Sequence, residues 1–483
     1  MIQRILSFYH PNYYKTLVAM LQECEYEANQ FYKWFWRRKD FDFKRHENSY
    51  KPTAKSKLLL LIMLTLAAIL SVFSLALIVK WYISGFDMFF LFWGLSLFVG
   101  TPLFIAAIVP ILVKVGEIII QKPKEKQIIA EAARVFKNSK AKVIVVAGSY
   151  GKTSMKEILF AILSSEKKTA ATPGNYNTPL GIGKFVKKLD GDEEVIIVEM
   201  GEYKPGDIKE LCEIVDPDIG VITGINEQHH ERFKTIDAAI STIHELSDYL
   251  DDKPVYINAQ SPYQREEVSP SAHSYSQSGV GEWKVKNAKT GLKGTEFDLV
   301  SPKQTIKIKT KLLGLHQIGP ICAAVAIAKN LGLDNTAIEN AVKSIPQAKH
   351  RLQILNQFGA TIIDDSYNGN PTGFEAGIKF LADLKNAVRK VYVTPGIFEL
   401  GDKEEEIHYN LGKKIGETAI DEVVFVRTNG AEIMAKGIAE AKGNQNITWV
   451  DDPSDFYSHL DLYIKAGDVV MLQNCAPEHY LKK

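Results

Sequence analysis

The residues best equipped for chemistry form one short run, Gly148-Ser149-Tyr150-Gly151-Lys152-Thr153-Ser154, directly after the β-branched stretch Val143–Ala147. Strand, glycine turn, Lys-Thr and then a helical period is an arrangement that cradles a triphosphate. Backbone N–H groups and the helix N-terminus face the phosphates, Lys152 neutralises the β and γ oxygens, and Thr153 can ligate Mg2+. Only two residues separate Gly148 from Gly151, so the spacing departs from GxxxxGK[ST]. The bare match is weak; its place at a strand–helix junction is what points to ATP.

The elements that must position this loop follow from the hydrophobic pattern. Val143–Ala147, Val195–Met200, Ile219–Thr223 and Val255–Asn258 are short apolar runs separated by helical periods, as in a parallel sheet covered on both faces. Residues 282–312 alternate polar and apolar positions instead, which predicts antiparallel strands at the edge of this unit. Helices around Ile321–Asn330 and Thr336–Ser344 close it. A second series, Thr361–Asp364, Val391–Thr394, Val423–Val426, Ile447–Val450 and Val469–Leu472, predicts a smaller doubly wound α/β domain. The expected boundaries are 126–345 and 346–483, with a ligand cleft between the two domains.

The front of the chain is of another kind. Leu58–Val79 carries no charge and is long enough to cross a hydrocarbon core as a helix; Met88–Val113 is a second uncharged stretch, interrupted by Pro102 and Pro110 and expected to kink. Basic residues flank both outer ends, from Arg37 to Lys57 and from Lys114 to Lys126, while the connector Trp81–Asp87 is nearly neutral. The positive-inside rule then gives a two-span hairpin at residues 57–120, with both flanks and the α/β domains in the cytoplasm. Residues 1–56 form a basic, aromatic leader, in which Phe31, Tyr32, Trp34, Phe35 and Trp36 suit either an interfacial segment on inner-membrane lipid or a packed amphipathic helix.

Composition excludes other classes. Across 483 residues the formal charge is +1 and the mean hydropathy is -0.08, so no basic field recruits nucleic acid. Cys24, Cys212, Cys322 and Cys475 are scattered, which argues against a disulfide framework or a zinc site.

The loop GSYGKT resembles the phosphate loop of the Mur ligases, ATP-dependent enzymes that form the amide bonds of the bacterial cell-wall peptide. Further segments match in the same order: Gly174–Gly183 (GNYNTPLGIG), Glu199–Gly201, Ile225–Phe233 (INEQHHERF), Gly314–Ala328, His350–Gln353, Asp364–Pro371 (DDSYNGNP) and Phe398–Asp402. The last two are most similar to the D-alanyl-D-alanine-adding branch. The resemblance spans roughly residues 140–475.

It implies a P-loop central domain, a Rossmann-like C-terminal domain, ATP with Mg2+, and activation of a carboxylate as an acyl phosphate for attack by the amine of an amino acid or dipeptide. It also implies roles by position. Gly148, Ser149, Gly151, Lys152, Thr153 and Ser154 bind the phosphates. Glu199 joins Thr153 in holding Mg2+, His229 serves a second Mg2+, Arg351 reaches the phosphates between domains, and Asp365 contacts the ribose. Tyr367 and Asn370 form the C-terminal wall of the nucleotide site, and Gln317 lies on the adenine side.

Four departures stand out. The family's His-Asn-x-x-Asn adenine-side pattern appears as His316-Gln317-Ile318-Gly319-Pro320, where Gln317 is expected to replace one amide and the other is lost. No lysine follows His229 where the family often has one; His244 and Glu245 occupy that neighbourhood. A Lys-Gly-Ser-Arg-like segment is replaced by Gln473-Asn474-Cys475-Ala476. Residues 1–125 look nothing like the family's UDP-substrate domain, so the expected carboxylate substrate is a membrane-linked or envelope precursor. A poly-γ-glutamyl-type ligase and a catalytically degenerate, ATP-binding envelope scaffold are the alternatives.

Overall fold

The computed structural model describes residues 8–24, 26–37, 50–174, 176–226, 233, 235–263, 265, 270–367, 369–385, 387–398, 400–451 and 460–475. Its contacts divide the chain into residues 1–127 and 128–483.

In the first unit, helices α1 (Tyr13–Glu23) and α2 (Ala28–Arg37) precede two long ones, α3 (Ala54–Ile83) and α4 (Met88–Gly116). A capping box starts α3: the Thr53 hydroxyl accepts the Ser56 N–H at 3.1 Å, and the Ser56 hydroxyl accepts the Thr53 N–H at 2.9 Å. The helix runs on to Ile83, further than the expected connector allows, because the first left-handed residues are Gly85 and Phe86 (φ 73° and 72°). Asp87 then caps α4 through the Phe89 N–H, and α4 continues through Pro102 and Pro110.

The two long helices pack closely at Gly94, where an added Cβ would lie 2.8 Å from Ile78 Cγ1, and the Ser74 hydroxyl donates to the Gly94 carbonyl at 2.6 Å. Their remaining surface is apolar and largely exposed, and both are long and apolar enough to cross a bilayer. Of the two readings of the aromatic segment, α2 takes the packed one. Phe31 and Phe35 are buried with Phe8, Leu17 and Val109, and the Tyr32 hydroxyl donates to the Ala107 carbonyl at 2.6 Å. Trp36 points outward.

The second unit begins within helix α5 (Lys122–Asn138), whose Ala132 and Phe136 enter its core. Ten strands follow: β1 (Lys142–Ala147), β2 (Thr169–Ala171), β3 (Val195–Glu199), β4 (Ile219–Ile222), β5 (Val255–Asn258), β6 (Ala272–Ser276), β7 (Gly279–Val280), β8 (Trp283–Gly291), β9 (Gly294–Val300) and β10 (Thr305–Thr310). They form one sheet in the order β10-β9-β8-β7-β6-β5-β4-β1-β3-β2, parallel from β2 to β6 and antiparallel beyond. The central strands β1 and β3 are apolar and buried almost throughout because helices cover both faces. In β10 exposed and buried residues alternate because one face is wet.

A six-stranded sheet follows, built from β11 (Gln353–Gln357), β12 (Ala360–Asp365), β13 (Arg389–Thr394), β14 (Glu422–Val426), β15 (Asn446–Val450) and β16 (Asp468–Gln473). Its order is β11-β12-β16-β13-β14-β15, with only β11 antiparallel. In both sheets the functional candidates fall where open α/β sheets bind ligands, at the carboxyl ends of parallel strands. The phosphate loop follows β1, Glu199 ends β3, Asp365 ends β12 and Gln473 ends β16.

Candidate functional site

The phosphate loop turns from β1 into helix α6 (Lys152–Leu163), with Gly148 at φ 135° and Gly151 at φ 80°, conformations that favour glycine at both positions. A Cβ on Gly148 would also lie 2.4 Å from Thr223 Oγ1. Lys152 opens the helix. Its ammonium donates to the Gly148 carbonyl and lies 3.1 Å from each oxygen of Glu202, whose side chain is buried. Burial pushes the Glu202 carboxyl up from its ordinary range, and the neighbouring Lys152 charge opposes that rise.

One turn further along α6, Lys156 is buried against Glu199, with Nζ 3.2 Å from Oε2, and also donates to the Gly174 carbonyl at 3.1 Å. Glu199 Oε2 accepts no hydrogen bond of good geometry. A buried carboxylate at the end of β3, next to the phosphate loop, whose Oε2 has the Lys156 ion pair but no hydrogen bond, is the kind of donor a divalent cation takes. Thr153 and Glu199 are therefore the described residues that could hold Mg2+; His229 lies outside the described residues. Glu245 is engaged elsewhere, accepting the Gly206 and Lys209 N–H groups at 2.7 and 2.9 Å and so capping helix Asp207–Val215. His244 is buried, and desolvation pushes it down to about 4, so it is neutral at pH 7.

A cleft of about 410 Å3 opens between the two sheets of this unit, in the size range of small-molecule sites. Gly151 and Ser154 line it from the phosphate-loop side, Gln317 from the start of helix Ile318–Asn330, and Arg351, Asp365, Tyr367 and Asn370 from the C-terminal sheet. The Arg351 guanidinium stacks over the Tyr367 ring at 5.1 Å. Asn370 caps helix Pro371–Asp383 by accepting the Gly373 N–H at 2.9 Å, which leaves its amide N–H groups to face a ligand. Gln317 hydrogen-bonds the His316 ring at 3.0 Å, and burial pushes that imidazole down to about 4.

Asp365 accepts from the Gln473 amide at 2.7 Å and from the Leu352 N–H at 3.3 Å. Burial nevertheless pushes its carboxyl up to about 7, against the pull of Gln473, Leu352 and Arg351. Two groups predicted from sequence thus stand apart. Gly151, Ser154, Gln317, Arg351, Asp365, Tyr367 and Asn370 share the cleft, whereas Lys152 and Glu199 do not line it and are ion-paired with Glu202 and Lys156.

Two residues of this arrangement, Lys156 and Glu202, were missed by sequence reasoning, and Gln473 and Asn474 were noted there only as a departure from the family pattern, with no partner assigned. For Lys156 there was a signal, since it shares a helix face with the apolar Leu159 and Leu163, where a solvated lysine has no place. Gln473 had another, as a polar residue ending the apolar run Val469–Leu472.

Comparison with known proteins defines the class. Residues 146–328 match the Mur ligase middle domain, and residues 350–473 match the Mur ligase, glutamate ligase domain. The chain belongs to the Mur ligase family, whose members are ATP-dependent, ADP-forming amide ligases that use Mg2+. Within it, the chain is similar to the UDP-N-acetylmuramoyl-tripeptide–D-alanyl-D-alanine ligase of Bacillus subtilis, 28% identical over 345 residues covering 69% of this chain and 72% of the relative. The enzyme of the same name from Escherichia coli is 27% identical over 326 residues, covering 64% and 70%. Among solved structures, the MurF ligase of Thermotoga maritima in complex with ADP superposes with a TM-score of 0.63 at 25% identity, covering 74% of this chain and 82% of that one.

Proposed function

We propose that this chain is a membrane-anchored Mur ligase that joins the amine of D-alanyl-D-alanine to the carboxylate of a muramoyl-tripeptide precursor. The observation that carries the reading is the cleft itself, which gathers Ser154, Arg351, Asp365 and Tyr367 beside the phosphate loop. The relatives named for that reaction supply the substrate class.

A carboxylate is a poor electrophile, so ATP first converts it to an acyl phosphate with release of ADP; the amine then attacks and phosphate leaves. In this reading Asp365 takes the ribose, Tyr367 and Asn370 wall the nucleotide, and Gln317 lies on its adenine side. The amides of Gly148–Gly151, the Ser154 hydroxyl and the cations of Lys152 and Arg351 receive the phosphates. Thr153 and Glu199, with His229, would hold Mg2+, which supplies neutralisation of the transferring phosphoryl group. Cations and fixed donors around that group do what the reaction most needs: they offset developing charge and hold two substrates in line.

The hairpin at residues 57–120 supports the finer part of the reading. It would keep the cytoplasmic domains at inner-membrane lipid, where the carboxylate substrate is a membrane-linked precursor. The test uses membranes containing the full-length chain, ATP, Mg2+ and labelled D-alanyl-D-alanine, with Lys152→Ala as control. Label entering lipid-extractable material, lost in the variant, is the expected result. Label entering only soluble UDP-linked peptide would reduce the hairpin to an anchor on an ordinary cell-wall ligase. Silence in both assays with ATP still bound would leave the scaffold alternative.

A further inference from the structure

The Lys152 ammonium has three protons, and three acceptors surround it: both oxygens of Glu202 at 3.1 Å and the Gly148 carbonyl. The backbone around it is equally engaged. The Ser149 and Tyr150 N–H groups both point to the Gly224 carbonyl, at 2.7 and 3.4 Å, and the Thr223 hydroxyl donates to the carbonyl of Tyr150. The pair is sheltered, with the Lys152 side chain 14% exposed and that of Glu202 2%. A carboxylate that only aimed the lysine would leave one of its protons free for the ligand. Here each proton faces an acceptor within the protein.

We infer that Glu202 is an internal anion that holds Lys152 in competition with the β- and γ-phosphates of the nucleotide. This rests on the assignment of the loop as a nucleotide site. Two bidentate oxygens on one ammonium are the contact a phosphate would make there, so binding proceeds by exchange of one anion for another. The exchange has two consequences. The nucleotide loses part of the affinity that a free lysine would give its phosphates. Glu202 also repels the incoming charge for as long as it stays ionised, because burial leaves little water to screen it. Nucleotides differ in their exposure to this contact: ADP and ATP carry a β-phosphate and meet it, whereas AMP does not.

The test is binding of AMP and ADP to the full-length chain in detergent, for the wild type and Glu202→Gln. Glutamine keeps the shape, withdraws the charge and offers one acceptor oxygen in place of two. The expected result is ADP binding tightened about tenfold, the scale of one charge-assisted hydrogen bond, with AMP unchanged. ADP binding that is unchanged or weakened while AMP still binds would overturn the inference and make Glu202 a structural partner of Lys152. Equal tightening of both nucleotides would overturn it too. Failure of AMP and ADP to bind the wild type would instead overturn the nucleotide site on which it rests. If the variant does not fold, the wild type alone decides. ADP binding within about tenfold of AMP supports the competition, and a preference of about a hundredfold or more overturns it.

Discussion

Lys156 Nζ lies 3.2 Å from Glu199 Oε2, and the two side chains are 1% and 4% exposed. This buried pair ties the helix after the phosphate loop to the strand carrying the candidate metal ligand. A second contact of Lys156, to the Gly174 carbonyl, brings in the loop before helix Pro179–Val186. Removing one partner of a buried pair leaves the other charge uncompensated. Lys156→Met should therefore destabilise the second unit by about 3–5 kcal/mol, read as a lower melting temperature. In the protein that remains folded, Glu199 is released from its cation, so the Mg2+ concentration giving half-maximal activity should fall. An unchanged Mg2+ requirement would make the pair purely structural.

If Asp365 takes the ribose as proposed, nucleotide binding should be pH-dependent. Its carboxyl is pushed up to about 7, mainly by burial. A raised carboxylate binds more protons folded than unfolded, so its contribution to stability is present at low pH and declines as pH rises from the ordinary carboxylate range through 7. For ligand binding the sign is reversed: the ionised group is acceptor-only and holds ribose hydroxyls more strongly than the protonated acid does. AMP affinity should rise between pH 6 and pH 8 and flatten above that. Asp365→Asn should bind weakly and show no such rise. Titration calorimetry at several pH values checks both.

Asn474 joins three segments. Its amide donates to the Gly396 carbonyl at 2.7 Å, its oxygen accepts the Gly369 N–H at 2.9 Å, and its own N–H reaches the Asp365 carbonyl at 3.1 Å. It also sits at φ 56°, in the left-handed region. Asn474→Ala loses both side-chain bonds and adds backbone strain, for a loss of about 3 kcal/mol. Asn474→Gly loses the bonds alone and should be milder by about 1 kcal/mol. Denaturant melts of the two variants separate the contributions.

Gly94 sets the approach of the two long helices. Any Cβ there meets Ile78 at 2.8 Å and the Ser74 carbonyl at 3.2 Å, so Gly94→Leu must push the helices apart. Ser74→Ala removes only one interhelical hydrogen bond, worth about 0.6 kcal/mol in such settings. Thermal stability in detergent should drop clearly for the first and hardly for the second. Equal effects would mean that the close packing at Gly94 contributes little.

The α/β pattern was legible because buried parallel strands leave a local mark. Val143–Ala147, Val195–Met200 and Val469–Leu472 are apolar runs that no helix period explains, and they appear as strands within a residue or two of those limits. Thr169–Ala171, Gly279–Val280 and Gln353–Gln357 escaped notice because they are short or polar. Their pairing is decided by the neighbouring strand rather than by their own side chains.

The sequence by itself determined that a phosphate-binding turn follows a buried strand, that two apolar stretches precede it, and that the motifs follow the order of one family. Those features depend on residues adjacent in the chain. Which charge faces which was decided only by the tertiary structure. Lys152 meets Glu202, Lys156 meets Glu199 and Asp365 meets Gln473, 108 residues away. Burial gives these pairings their weight, because a charge away from water must find a partner, and the partner is whatever the packing of separate strand ends brings within reach.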